Sequence, residues 1–111
     1  MKKFDESEWE QIQSEIDKMK NGEKNVVIDS ICSGIPILQI NAILFGVKHG
    51  IDDPIFLKTL SELTDSDVNV FGVSMSECAK AACDVLNVIP YRGSEERVIR
   101  IIEGMKDGAI I

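Results

Sequence analysis

The sequence contains one histidine, His49, which is the first candidate for acid–base or metal chemistry. Such a role would need further groups close by, and along the chain only Asp52 and Asp53 approach it. A functional site requires a constellation of groups, whereas an Asp-rich turn is more often a helix cap. His49 also fits the end of a predicted helix, where a cationic side chain suits the helix dipole. We therefore expect His49 to be structural.

Three cysteines, Cys32, Cys78 and Cys83, are the candidate nucleophiles and thiolate ligands. Cys78 and Cys83 are five residues apart on one predicted helix, so their side chains point in different directions. No C-x-x-C pair occurs, and no set of Cys and His completes a zinc site. The odd number argues against a disulfide framework and favours a reducing compartment. We expect Cys78 and Cys83 to be buried structural thiols.

Sequence motifs for nucleophilic or phosphate chemistry are absent. Ser74 and Ser76 lack the G-x-S-x-G context of a nucleophile elbow. The sequence has neither a Walker A segment nor a G-x-G-x-x-G segment. It therefore predicts a protein that is not an enzyme and that uses neither a metal nor another cofactor.

Acidic residues are the more informative chemical feature. The chain has 12 basic and 19 acidic residues, a net charge of −7. Seven acids and two bases lie between residues 52 and 84, whereas residues 1–24 hold seven acids and five bases. Nucleic-acid binding depends on phosphate neutralisation by Lys and Arg, so this balance argues against nucleic acid and anionic membrane. It favours a basic protein partner, or simply solubility.

One predicted turn and its flanking helices concentrate these acids into a candidate binding site. Asp65 and Asp67 share a turn, and Glu62 lies one helical turn earlier on the preceding helix. These three residues form the predicted centre of a partner-binding surface, with Glu77 and Asp84 as extensions along the next helix. The alternative is that Asp65 or Asp67 only caps a helix and that the other acids form a solvated face.

Six helical segments are predicted to position these residues. Asp5 and Glu8 are spaced as a capping box at the first helix start. Ser74 and Glu77 have the same spacing before the fifth helix. The predicted helices cover residues 5–21, 23–33, 36–49, 53–64, 78–88 and 94–108. Residues 68–73 are predicted to form a short helical turn or the start of a longer helix.

Two expectations concern the core. The third predicted helix is apolar almost all round, so we expect it to be central, with Ile40, Ile43 and Leu44 in the core. Trp9 either packs as the first residue of its helical stripe or is an exposed anchor for a partner. Its spacing from Ile12 joins it to the apolar set, which favours the core.

The inter-helix segment of residues 60–68, Leu-Ser-Glu-Leu-Thr-Asp-Ser-Asp-Val, resembles the turn of HEAT-type repeats. In that family a leucine pair ends the first helix, and Asp at alternate positions then caps the second. Ala79, Ala82 and Leu86 match the small and leucine positions of such a second helix. Asn69 stands where the family often has Arg, and residues 70–76 are extra length. The resemblance covers residues 23–107 and implies stacked helical pairs.

The fold class follows from these patterns. No segment shows sustained alternation of apolar and polar residues, so no sheet is predicted. The length is that of one domain. We predict a single all-α domain over residues 1–111, built of about five to six helices in stacked antiparallel hairpins. It is either a HEAT-like α-solenoid fragment or a compact helical bundle.

The predicted function is the binding of a protein. Small size, acidity and predicted helicity resemble those of bacterial immunity proteins, including those of contact-dependent growth inhibition systems. The resemblance implies an inhibitor that masks a basic cognate toxin domain, such as a nuclease, through an acidic surface. The alternative is a small helical-repeat scaffold or regulatory adaptor that inhibits nothing.

The expected location is the cytoplasm, without a membrane partner. The first residues contain no apolar signal-peptide region. The longest charge-free segment, residues 30–47, is interrupted by glycine, proline and amide residues, which is not the pattern of a membrane span.

Overall fold

Six helices and one short β-hairpin make up residues 4–108, the part of the chain that the computed structural model describes. The helices are α1 Glu6–Lys20, α2 Lys24–Ile31, α3 Pro36–Lys48, α4 Pro54–Leu63, α5 Met75–Val85 and α6 Glu96–Asp107. The strands are β1 Asn69–Val70 and β2 Val73–Ser74, which pair antiparallel. The all-α prediction with five to six helices is confirmed.

Helix starts follow the predicted capping residues. The Asp5 carboxylate accepts a hydrogen bond from the backbone N–H of Glu8 at 2.8 Å, and the Asp5 N–H donates back to the Glu8 side chain at 3.4 Å. Asp53 accepts two N–H groups from the first turn of α4, at 2.9 and 3.2 Å. Ser74 accepts the N–H of Glu77 at 3.3 Å. These bonds satisfy donors that the first turn of a helix leaves free.

The helices pack as two stacked hairpins with a helix on either side. α2 packs on α3 to form one hairpin, and α4 packs on α5 to form the next. The first helices, α2 and α4, contact each other, and so do the second helices, α3 and α5. α1 covers α2 and α3, while α6 lies against α5 and α3. The second-helix layer is therefore the interior of the molecule.

The third helix occupies the central position that its composition predicts. Ile40 and Ile43 are buried, and Leu44 is partly buried at the edge of the core. Gly46 allows α3 to approach α4, because a Cβ at this position would overlap the ring of Phe56. Phe56 is fully buried, so the contact fixes the spacing between the two helices.

The segment of residues 68–73 is extended, and its prediction as helix is wrong. Val70 pairs with Val73 across a two-residue turn of Phe71 and Gly72. Phe71 has φ 50° and Gly72 has φ 82°, the left-handed pair that a type I′ hairpin turn requires. Buried Val70 anchors the hairpin on α3. α5 consequently begins at Met75, directly after its cap, and ends at Val85 instead of at residue 88.

The prediction that Trp9 joins the core is also wrong. Its side chain is 42% exposed, and the stripe of α1 becomes buried only from Ile12 onward. The Trp9 ring meets the Phe4 ring edge-on, with centroids 5.2 Å apart. Trp9 lies in the first turn of α1, one turn before the first buried residue of the stripe, so its spacing did not indicate its exposure.

The single-domain prediction over residues 1–111 stays a prediction, and residues 1–3 and 109–111 lie outside the described residues. Among the helices of residues 4–108, none is long and apolar enough to cross a membrane.

Candidate partner-binding surface

Three predicted site residues lie together at the end of α4. Glu62 is in its last turn, and Asp65 and Asp67 are in the loop that leads to β1. All three are exposed. We call Glu62, Asp65 and Asp67 the acidic turn. Within residues 4–108, none of their carboxylates forms an ion pair, so their charges face solvent uncompensated.

Helix capping does not account for the acidic turn. The cap of α5 is Ser74, well after Asp67 along the chain. In the described part of the chain, no hydrogen bond involves the carboxylate of Asp65 or Asp67, and the turn is held by backbone bonds and by the hydroxyl of Ser66. Asp65 and Asp67 therefore cap no helix among the described residues.

The acidic turn also lies at an electrostatically unfavourable end of its helix. A helix C-terminus carries partial negative charge, so acids there are destabilising and bases are favourable. The last turns of α1, α3 and α6 each carry lysine, whereas those of α2, α4 and α5 have no base, and that of α4 contains Glu62. Lys58, one turn before Glu62, forms no ion pair with it within the described residues.

The two predicted extensions have partners inside the protein. Glu77 lies 3.8 Å from Arg97 of α6, and its side chain is 15% exposed. Asp84 accepts the N–H of Tyr91 at 2.9 Å and lies 3.9 Å from Lys106, with 22% of its side chain exposed. Both carboxylates thus connect α5 to α6 and its preceding loop. Glu62, Asp65 and Asp67 therefore lie together at the end of α4, whereas Glu77 and Asp84 are paired with residues of α6 and the loop before it.

Sequence reasoning missed the exposed apolar hairpin that follows the acidic turn. Val68 and Val73 are more than one-third exposed, and Phe71 at the tip is 71% exposed. The signal in the sequence was the pair Phe71–Gly72 between two valines, which has the length of a two-residue hairpin loop. It is weak because the preferred residue at the first turn position is Asn, Asp or Gly, not Phe.

A groove of about 450 Å³ lies beside the hairpin, between α3, α5 and α6. Its apolar lining consists of Ile40, Leu44, Val73, Cys78 and Ile101. Glu77, Arg97 and Arg100 provide the charged part of its wall. Burial, with a smaller contribution from the carboxylate of Glu77, raises the pKa of Cys78 to about 11. Since the thiolate is the reactive form, Cys78 is a packing residue in this groove.

The remaining candidate residues, His49, Cys32 and Cys83, each have a different local environment. His49 contacts the end of α1, where its Nε2 lies 3.2 Å from the carbonyl oxygen of Lys20. Cys83 is buried, and Cys32 is exposed with its sulfur 3.6 Å from the hydroxyl of Thr59. Across residues 4–108, no three His, Cys, Asp or Glu side chains gather as they would around a metal ion.

Comparison with known proteins adds no family to these observations: no protein-family model, curated protein or solved structure matches the chain.

Proposed function

We propose that this protein is a binding module that recognises a basic protein partner through the acidic turn. In its specific form, the proposal is a bacterial immunity protein of the contact-dependent inhibition type, which neutralises a basic cognate toxin domain, such as a nuclease, in the cytoplasm. The proposal includes no catalytic step, no cofactor and no nucleic acid.

The observation that carries the proposal is the placement of the acidic turn. Three carboxylates lie within six residues, are exposed, and have no cation within ion-pair distance in the described part of the chain. They occupy the helix end where negative charge costs stability. Charge that costs stability and supports no cap is typical of a surface used for recognition.

The physical consequence of such a surface is steering. A concentrated negative patch raises the rate of encounter with a positively charged protein and suppresses encounter with acidic ones. A nuclease cleft must be basic to hold phosphates, so the same patch would occupy the region that the nucleic acid needs. Inhibition then requires only that the acidic turn covers this cleft.

A second candidate function is a scaffold or adaptor of HEAT-like repeats. The observation in its favour is the stacking of first helices on first helices and second helices on second helices. In such proteins the stacked repeats create an extended concave binding surface, and here the groove lies between α3, α5 and α6. This alternative places the partner on the groove and not on the acidic turn.

The experiment that separates the two uses three forms of the chain as bait in the native cell. One is the wild type, one carries Glu62→Gln, Asp65→Asn and Asp67→Asn, and one carries the matched neutralisation Glu6→Gln, Glu10→Gln and Glu103→Gln. The two variants have the same net charge, and each is used only after its circular dichroism spectrum matches that of wild type. We expect a stoichiometric basic protein with the first and third baits only. Equal recovery by all three baits would exclude the acidic turn and favour the scaffold.

A further inference from the structure

The tip of the hairpin combines two features that a folded protein normally avoids. Phe71 has φ 50°, a left-handed conformation that is a genuine outlier for a bulky residue. Its side chain is 71% exposed, so no internal packing compensates for the strain. Asn followed by glycine would form the same turn without this cost. Strain of this kind persists mainly where a residue has a function, and an exposed phenyl ring is suited to insertion into an apolar pocket.

An apolar groove that could hold a phenyl ring lies directly beside the hairpin. Gly72 and Val73, the two residues after Phe71, line the groove, whose volume is about 450 Å³. A cavity of about 150 Å³ already holds benzene, so a phenyl ring fits with room for part of the turn. Phe71 itself is not among the residues that line the groove, so within its own chain the ring does not fill it.

We propose that the groove receives Phe71 of a second copy of this chain, in a two-fold symmetric dimer. When a protruding group and its pocket lie side by side on one face, a two-fold rotation places each against the other, and the assembly closes at two subunits. Each hairpin tip then fills the opposite groove, and both exposed rings are removed from water.

The charges of the groove wall and of the acidic turn are complementary in this two-fold dimer. Arg97 and Arg100 stand at the groove wall with largely exposed side chains. Arg100 pairs with exposed Glu96 at 2.6 Å, a surface pair of the kind that contributes little to stability, and Arg97 lies 3.8 Å from the mostly buried Glu77. The acidic turn leads directly into the hairpin, so the second copy brings Asp65 and Asp67 towards these arginines. A basic partner and a second copy would compete for the same carboxylates, and the dimer is therefore tested with the purified chain alone.

The test is sedimentation equilibrium of the purified chain up to about 1 mM, the range in which weak dimers are resolved. Wild type should approach twice the monomer mass of 12.3 kDa. Phe71→Asn creates the favoured Asn-Gly turn, so it should raise the melting temperature at low concentration yet weaken dimerisation by at least about tenfold, as loss of a central aromatic anchor does. Phe71→Gly should weaken dimerisation to the same extent.

The matched control is Ile55→Asn, which removes a large exposed side chain at the opposite end of α4 and should leave the dimer intact. Arg100→Glu tests the groove and should raise the dissociation constant. A wild type that stays monomeric over the whole range would overturn the proposal. Folded Phe71 variants that dimerise as well as wild type would also overturn it, and an unchanged Arg100→Glu constant would move the docking site away from the groove.

Discussion

At the scale of one residue, Glu62 lies where negative charge costs local stability, and the proposed function uses the same charge for recognition. Because it lies in the last turn of α4, Glu62→Gln should raise the free energy of unfolding by about 0.3–1 kcal/mol at low ionic strength. Glu6→Gln in the first turn of α1 is the control, and should lower it by a similar amount. Urea denaturation of both variants measures the two shifts. Shifts of the same sign would show that the helix dipole does not govern Glu62.

The buried thiols make a second prediction at this scale, because burial sets their ionisation. Burial raises the pKa of Cys78 and of Cys83 from the ordinary value of 9.0 to about 11. Between these values the unfolded chain loses thiol protons that the folded chain retains. The free energy of unfolding should therefore fall as the pH rises from about 9 to about 11, with no thiol contribution below about 9.

Cys78→Ala and Cys83→Ala, each compared with wild type across this pH range, isolate the thiol contribution from that of lysine and tyrosine. Each variant should show a shallower decline than wild type, although both lose some packing. Parallel declines in all three proteins would mean that the thiols ionise alike in the folded and unfolded chains.

At the scale of elements, the close approach of α3 and α4 depends on the absence of a side chain at Gly46. Gly46→Ala should improve the intrinsic helix propensity by about 1 kcal/mol. It should nevertheless destabilise the protein by about 1–3 kcal/mol overall, because the new Cβ overlaps the ring of buried Phe56. Chemical denaturation of Gly46→Ala, Phe56→Leu and the double variant tests the contact. Additive effects in the double variant would show that Gly46 and Phe56 are not coupled.

The elements that sequence reasoning predicted correctly are those with local causes. The caps at Asp5, Asp53 and Ser74 act within a few residues, so spacing alone identifies them. The hairpin depends on tertiary contact, since Val70 is buried where β1 meets α3. Its turn residue Phe71 contradicts local preference, and no pattern in the sequence compensates for that.

In the candidate site too, only the features that depend on nearby residues were predictable from the sequence. The clustering of Glu62, Asp65 and Asp67 is local, and the structure keeps it. Whether an acid is free or paired depends on distant residues, and the partners of Glu77 and Asp84 come from α6 and the loop before it. Charge counted along the sequence could not distinguish these two groups of acids.

At the scale of the whole molecule, the acidic residues include some that form ion pairs with other helices and some, in the acidic turn, that form none within the described residues. Some acids are paired: ion pairs link α5 to α6 and to Glu95, the N-cap residue of α6. The acidic turn supplies three of the 19 acidic residues that give the chain its net charge of −7, and within the described residues these three form no ion pair. A like-charged chain repels itself slightly and attracts cations over a distance set by the ionic strength. If the acidic turn is the binding surface, we expect recognition to begin with electrostatic encounter and to depend strongly on salt.

The measurement that tests this central claim most directly is the association rate constant of the captured basic partner, taken over a salt series. Wild type should associate much faster at low salt, with a rate that falls steeply as the Debye length shrinks from about 30 Å at 0.01 M to about 8 Å at 0.15 M. The variant with Glu62→Gln, Asp65→Asn and Asp67→Asn should associate more slowly and with a flatter salt dependence, while remaining folded. Rates and salt dependence equal to those of the Glu6, Glu10 and Glu103 control would contradict the account.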